Sequence, residues 1–570
     1  MQRPRSTPPR RHLRILVCLA LLLIAGAWYW AHRHGGAWLD RTVRERIETA
    51  VRKATVDGYH FTMDSLRTDV RSGDILIRGI RLTYDPALND SVSAGVYAYL
   101  FSAHAHTIAL RGASLWRAVL LREIHLRSVE VDTPAFEYTI GDHRVDLEAP
   151  LERLDGPGHH PLDLFDVGDV VVRGARARMH DLSGHLPVLY TTGLDLHVRR
   201  LRVLRPGDHA RADLSVAAVD VRLDSLTTNI PGGYRLRFGE SHLSDHRRLG
   251  TIRHIALERI DALAPPYRTT RNTVAIDSIV LADLDVARLI GHRSMKASTV
   301  TLYHPTLRAE LDKDRPVGPE RDVMLPPAAL LDLPFPIQVD SLLVFDGAVL
   351  YRERSDQTGL WGALRLGGIQ ARCAGITNAP RVGSEPPMLR ANLHCQFMDT
   401  TRRDARYEAR LDGSADFSFF ATLNELPLSS LDSLTTNLLR LSITQGQVEH
   451  LVLEMHGDAE KARGTMEMKY ADVVTTVASN ASPEQRRNML GSVMEFVLAE
   501  PLGGGLSDHQ RRSVSVDRDA NRSLFTYIWH FTRTGIKRDL KPGATQRLFS
   551  ILKKERDVRR ARRRARSVAR

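Results

Sequence analysis

Apolar and polar residues alternate with a period of two through most of the chain between residues 60 and 480. Segments such as 107–115, 165–181 and 273–286 carry Val, Ile, Leu and Thr at alternate positions and are interrupted by Gly, Asp or Asn. A two-residue period places successive side chains on opposite faces of a strand. The pattern therefore predicts half-buried antiparallel strands, because the strands of a parallel α/β sheet are apolar on both faces.

The tripeptide Asp-Ser-Leu recurs along the chain. It occupies 64–66, 224–226, 340–342 and 432–434, and 277–279 is the near copy Asp-Ser-Ile. At 64–66 the tripeptide opens an alternating segment, and glycine interrupts that segment at Gly79. We interpret the tripeptide as the start of successive strands in one repetitive sheet.

Two longer stretches also occur twice in similar form. The segment around Pro134 aligns with the segment around Pro305 at a shift of 171 residues, and the segment around Gly174 aligns with that around Gly347 at a shift of 173. Strands that cannot bury a face alone must stack to do so. The two alignments predict a duplicated array of strands.

An uncharged run at residues 15–31 follows the basic segment 1–14. It has about the minimum length for a hydrocarbon core of about 30 Å, and arginines before it and aromatic residues at its end are typical of a membrane anchor with a cytoplasmic N-terminus. A cleaved signal peptide is the alternative, because Ala25-Gly26-Ala27 has the small-x-small form of a cleavage site. The predicted anchor residues include Ile15, Leu19, Leu22, Ile24, Trp28, Tyr29 and Trp30.

The net charge of +13 is located at the two ends of the chain. Residues 1–14 carry +5 and residues 553–570 carry +8, so the body between them is neutral. A nucleic-acid partner is not expected for a neutral body. The basic tail 553–570 is predicted to attract anionic lipid headgroups, at about 1 kcal/mol per basic residue near a membrane surface.

Two of the three cysteines flank the turn-rich segment 377–387. A hairpin there would bring Cys373 and Cys395 onto neighbouring strands, where an oxidising compartment would allow a disulfide. Two small buried residues that are not bonded are the equal alternative.

Motifs of enzymatic chemistry are absent from the sequence. It has no Gly-x-Ser-x-Gly elbow, no phosphate-binding glycine loop, no His-Glu-x-x-His and no Cys-x-x-Cys. The 24 histidines are scattered over strands or lie in linkers. We therefore expect no enzyme activity, no catalytic or metal-binding residues and no cofactor.

The opening and closing sections together resemble a known family. The anchor, a short helix and the segment 63–85 are similar to the start of AsmA-like proteins, the envelope group that includes TamB and related bridge-like lipid-transfer proteins. Residues 421–477 resemble the closing section of that family, and 522–537 resemble the ending of members from Bacteroidetes-type bacteria.

This resemblance implies a mainly β fold: an N-terminal transmembrane helix, then an elongated, repetitive antiparallel β-sheet that forms a groove, then short C-terminal helices. It implies a single-pass protein of the bacterial inner membrane with a periplasmic body that binds or transfers phospholipid in envelope homeostasis. The alternative function is a scaffold for outer-membrane biogenesis with other envelope proteins as partners. The alternative structure is an ordinary sandwich, in which the apolar strand faces are closed against a second sheet. The predicted lipid-groove residues are Ile75, Ile77, Ile80, Leu82, Val170, Val172, Leu342 and Val344.

The domain organisation follows from these patterns. The C-terminal region has helical spacing at 483–499 and an aromatic-rich stretch at 523–536, which is expected at an interface or over the open end of the groove. The predicted segments are a basic tail 1–14, an anchor 15–31, an N-terminal helix and strands 36–150, a middle array 151–330, a C-terminal array 331–480, a helical region 481–552 and a basic tail 553–570.

Overall fold

The computed structural model describes residues 40–113, 123–140, 164–204, 213–477 and 511–539, with short gaps inside these ranges. The fold is mainly β, as the alternating pattern predicts, and antiparallel pairs predominate. The chain forms two compact units. The first holds residues up to 260 together with 278–297, and the second holds 261–277 and residues from 298 onward.

The first unit contains fourteen complete strands among its described residues, the helical segment 40–52, and two short helices, α1 (Leu88–Ser93) and α2 (Val286–His292). The strands are β1 (Tyr59–Thr62), β2 (Ser65–Asp69), β3 (Asp74–Tyr84), β4 (Tyr99–Arg111), β5 (Glu123–Asp132), β6 (Ala135–Ile140), β7 (Leu164–Asp181), β8 (Pro187–Leu204), β9 (Asp213–Ser215), β10 (Ala218–Leu223), β11 (Ser225–Ile230), β12 (Tyr234–Phe238), β13 (Ser241–Ser244) and β14 (Leu249–Arg259).

Long strands of the first unit pair with two shorter strands placed end to end. β3 pairs with β2 along one half and with β1 along the other, β4 and β7 each pair with both β5 and β6, and β8 pairs with both β10 and β11. β12 and β13 then pair with β14. The pairs of β7 with β5 and with β6 are parallel, and the other pairs are antiparallel. We call each long strand, or each end-to-end pair, one rung.

The second unit continues with longer strands. β15 (Thr270–Ala282) and β16 (Met295–Tyr303) have residues in both units, and the remaining strands are β17 (Thr306–Asp312), β18 (Ile337–Arg354), β19 (Trp361–Thr377), β20 (Met388–Phe397), β21 (Thr401–Arg410), β22 (Phe417–Pro427), β23 (Leu441–Gly457), β24 (Lys461–Val477) and β25 (Arg512–Asp517). Its helices are α3 (Pro326–Leu331), α4 (Asp432–Leu439) and α5 (Leu524–Asp539), and 3-10 turns cover Asp261–Leu263 and Leu428–Leu431. From β18 to β25 each strand pairs antiparallel with the next.

The predicted duplication is present in the strand pairing. β4 and β15 are both 13 residues long, and β7 and β18 are both 18. β6 pairs with β4 and, in parallel, with β7, and β17 pairs in the same way with β15 and β18. The register also agrees. Tyr99 faces Ile140 in the first copy, and Thr270 faces Leu311 in the second, where each residue lies 171 positions after its counterpart.

Equivalent backbone hydrogen bonds fix the crossover in both copies. The Arg176 N–H donates to the carbonyl of Pro134 at 2.9 Å, and the Ala348 N–H donates to that of Pro305 at 2.8 Å. The residue with positive φ that bends the long strand is Gly174 in the first copy and Asp346 in the second. The structural counterpart of Gly174 is thus Asp346, and the sequence alignment of Gly174 with Gly347 is wrong by one position. Aspartate can take the place of glycine here because it also tolerates the left-handed conformation.

The Asp-Ser-Leu tripeptide starts a strand at only two of its four positions. β2 begins at Ser65 and β11 at Ser225, as predicted. Asp340 lies inside β18, the near copy at Asp277 lies inside β15, and Asp432 begins helix α4. At Asp432 the carboxylate accepts hydrogen bonds from the Ser442 hydroxyl and the Ile443 N–H, which attach the start of α4 to β23, so the strand prediction there is wrong.

Each unit has one large apolar cluster that a helix covers. In the first unit, Ile47 and Val51 of the helical segment 40–52 pack with Ile75, Ile77 and neighbouring strands. In the second, Tyr527 and Phe531 of α5 pack on the strands from β21 to β25. None of the described helices is long and apolar enough to cross a bilayer. The predicted anchor 15–31, the helix at 483–499 and the tail 553–570 lie outside the described residues.

Candidate functional site

The first unit has one continuous apolar face. Residues directly opposite each other on paired strands point to the same side of a sheet. Following these pairs from Leu66 on β2 gives one aliphatic side chain on every successive rung as far as β13. This row consists of Leu66, Ile77, Ile108, Val131, Val172, Leu196, Val221 and Leu243.

Further rows run beside it on the same face. A second consists of Ile75, Leu110, Val129, Val170, Val198 and Val219. A third consists of Phe61, Leu82, Ala103, Phe136, Ala177, Thr191, Leu226 and Phe238. Together these rows define what we call the apolar face of the first unit.

A left-handed glycine keeps the side chains of β3 on that face along its whole length. Ile75 and Ile77 are odd-numbered, whereas Ile80 and Leu82 are even-numbered, so strict alternation would put the two pairs on opposite sides. Gly79, at φ +62°, changes the phase of the alternation. As a result, all four predicted groove residues of this strand belong to one cluster.

The other predicted groove residues lie at corresponding places of the two copies. Val170 and Val172 precede the bend at Gly174, and Leu342 and Val344 precede the bend at Asp346. Rows from Leu342 and Val344 cross the second unit to its buried cluster. They consist of Leu342, Cys373, Ala391, Tyr407, Phe419 and Met455, and of Val344, Ala371, Leu393, Ala405, Ala421, Leu453 and Met466.

The apolar face of the first unit is covered unevenly. Ile77 is 5 % exposed beneath the helical segment 40–52, which the carboxylate of Asp40 attaches to β2 by accepting from the N–H and hydroxyl of Thr68. At the other end, α2 packs against β10. Between them, Val131 and Val172 are only half-buried. The centre of the row is therefore accessible within the part of the chain that the structure describes.

The opposite side of the same strands is polar. Arg111 and Glu130 pair at 3.0 Å, and Arg237 and Glu258 pair at 2.7 Å across neighbouring strands. These exposed pairs contribute little stability each, about 0–1 kcal/mol. We call this side the polar face.

Helix α5 covers the apolar side of the second unit. Phe417 meets Tyr527 edge to face at 6.0 Å between ring centroids, and Tyr351 of β18 contacts the exposed ring of Phe525 at 6.2 Å. Burial raises the pKa of both Tyr351 and Tyr527, so these hydroxyls stay neutral. The aromatic stretch 523–536 thus covers apolar strands of the second unit.

An arginine interrupts the apolar side of the second unit. Arg403 faces Cys395 and Leu423 across its neighbouring strands, and its guanidinium lies 3.6 Å from the centre of the Phe397 ring. Burial lowers the pKa of Arg403 to about 10, and its Nε has no hydrogen-bond partner among the residues that the structure describes. Nothing in the alternating pattern indicates this, because an arginine on such a strand is expected to face solvent.

The two cysteines lie on neighbouring strands, as the hairpin predicts, but as free thiols. Cys373 of β19 faces Ala391 of β20, four residues before Cys395. Four residues of strand span about 13 Å, which a disulfide cannot bridge. The proposed bridge is therefore not formed, and the alternative of two separate, partly or fully buried cysteines describes the structure.

Comparisons with known proteins assign no relative. No model of a known protein family matches the chain, and no curated protein matches it either. Among the described residues, no three His, Cys, Asp or Glu side chains are grouped so that they could hold a metal ion.

Proposed function

We propose that this chain is an AsmA-like, membrane-anchored protein of the bacterial envelope that binds or transfers phospholipid along its apolar face. The observation that carries this proposal is the row from Leu66 to Leu243, in which eight successive rungs each present an aliphatic side chain. The partner is a phospholipid, and the inner membrane is the place where the chain would acquire it.

The dimensions of the row suit an acyl chain. Seven steps between rungs at about 4.8 Å give a row about 34 Å long. One leaflet of a bilayer is about 15 Å of hydrocarbon, half of the core thickness. A row about twice that length is enough to hold a lipid tail at more than one position, which a carrier needs.

The burial of the row favours a carrier over a closed core. In a sandwich, the inner side chains at the centre of a sheet are fully buried against a second sheet. Val131 and Val172 are half-buried instead, although they lie on central rungs. An accessible apolar surface of this kind marks a binding site.

Two substitutions on adjacent residues of β7 test the proposal. Val172 points to the apolar face, and Val171 points to the polar face because it pairs with Glu130 and His197. The full chain would be purified from a bacterial envelope in mild detergent and its bound lipid measured by native mass spectrometry and extraction. We expect V172Q to lose phospholipid and the matched V171Q to retain it.

The outcomes are distinct. Phospholipid on the wild-type protein and on V171Q, reduced in V172Q, supports the carrier. A folded wild-type protein without lipid contradicts it and favours the scaffold of outer-membrane biogenesis. Equal lipid in both variants would mean that lipid binds elsewhere on the chain.

A further inference from the structure

A cavity of about 420 Å³ opens on the polar face of the first unit. It lies among β7, β8, β10, β13 and the turn that follows β13. Val221 and Leu243 point to the apolar face, so their neighbours Arg222 and His242 point into this cavity from the other side. Two facing rows form its floor: Asp195, Arg222 and His242, and beside them His197, Asp220 and Ser244.

Positive groups predominate in this cavity. Arg199, Arg222 and Arg247 line it, and none of them forms an ion pair with a carboxylate of the described residues. All three are exposed, so they can reach a ligand. The imidazoles of His242 and His246 line the same cavity.

The two carboxylates in the cavity are already hydrogen-bonded. Asp195 accepts from the Gly174 N–H at 2.7 Å, and Asp220 accepts from the hydroxyl of Ser244. His197 is paired with Asp169 at 2.9 Å. The three arginines therefore keep their guanidinium groups available while the acids of the same cavity are engaged.

The charges of the cavity also act on His242. Its pKa is lowered first by burial and then by the charges of Arg222 and Arg247, against a smaller opposing effect of Asp220. Positive charges gathered in a concave site attract anions more strongly than the same charges spread over a surface. An anion in the cavity would remove the repulsion among these groups.

We propose that this cavity binds a compact anion of the phosphate class through Arg199, Arg222 and Arg247. The planar guanidinium presents paired N–H donors that match the oxygens of a phosphate. A volume of about 420 Å³ lies at the small end of the range for ligand sites, so it suits one or two phosphate groups. The site is on the polar face, so it does not depend on lipid binding to the apolar face.

Calorimetric titration of the full chain in mild detergent tests the proposal. The probes are inorganic pyrophosphate, dihexanoyl phosphatidic acid and dihexanoyl phosphatidylcholine, all below their aggregation limits. The double variant R222Q/R247Q removes two of the arginines, and R372Q/R402Q removes the same charge from two exposed arginines that do not line the cavity.

We expect pyrophosphate or phosphatidic acid to bind the wild-type protein and the R372Q/R402Q control, with affinity lowered at least about tenfold in R222Q/R247Q. Tighter binding of phosphatidic acid assigns the site to a lipid headgroup, and equal or tighter binding of pyrophosphate assigns it to a soluble phosphate compound. Equal losses in both double variants, or no binding of any probe, would overturn the proposal. Circular dichroism of both variants checks that the fold is retained.

Discussion

The carboxylate of Asp64 lies directly over Gly79 on the neighbouring strand, in the place that a Cβ of residue 79 would occupy. The same arrangement recurs at Asp224 and Gly193. Gly79 and Gly193 have φ of +62° and +61°, and each aspartate N–H donates to the carbonyl of the residue before the glycine. Two of the Asp-Ser-Leu tripeptides therefore mark places where a strand begins beside a bend in its neighbour.

Replacing Gly79 with alanine is expected to destabilise the first unit by about 2–4 kcal/mol, because the new Cβ meets Asp64 and the backbone is left-handed. G359A separates the two causes, since Gly359 has φ of +70° with nothing within 4 Å of an added Cβ. Urea denaturation should show about 1 kcal/mol for that control. Adding D64A to G79A should restore part of the loss, and strictly additive effects would contradict the contact.

Replacing Arg403 with methionine is expected to raise the free energy of unfolding by about 1–3 kcal/mol. The substitution removes a buried charge that has no carboxylate partner among the described residues and keeps the apolar stem that packs on Phe397. Exposed Arg402 on the same strand supplies the control R402M, with a change within about 0.5 kcal/mol. A clear loss of stability in R403M would show that the guanidinium itself stabilises this site.

Asp432 should make stability depend on acid pH. A hydrogen bond from Ser442, followed by those from the Ile443 N–H and Thr436, holds the pKa of Asp432 below its ordinary value. Its stabilising effect is therefore present above the unfolded-state pKa of about 3.9 and is lost as the pH falls through the lower folded-state pKa.

The variant D432N should accordingly lower the melting temperature at pH 7 and approach wild type near pH 2.5. Because this side chain is only half-buried and solvent screens its charge, the expected effect at pH 7 is about 1 kcal/mol or less. Exposed Asp356 gives the control D356N. A difference between D432N and wild type that stays constant from pH 7 to pH 2.5 would contradict the assigned hydrogen bonds.

Cys373 and Cys395 should react slowly with iodoacetamide in the folded protein. Burial raises the pKa of both thiols, so little thiolate is present at pH 8. Denaturation in urea should speed both reactions, and peptide mapping should identify both modified residues. A disulfide-linked peptide that contains both cysteines would refute the free-thiol structure.

The strand pattern and the apolar alternation were predictable because each depends on neighbouring positions, and the duplication because similar segments recur at nearly the same shift. The parallel pairing of β6 with β7 was not, since it depends on a crossover between distant segments. The shift of the alternation at Gly79 is visible in the sequence, but the left-handed conformation that produces it is not. The basic cavity was missed because Arg199, Arg222 and Arg247 meet only through strand register.

The duplicated crossover also determines how many residues such a chain can gain or lose while its strands stay paired. The repeating block begins at β4 and ends before β15, which starts 171 residues later, and its parallel pairs, those of β7 with β5 and with β6, are internal. Insertion or deletion of one whole block of 171 residues would place equivalent strands at each join, so the pairing pattern would be kept. Growth by whole blocks, rather than by single strands, is the route that keeps every backbone edge paired.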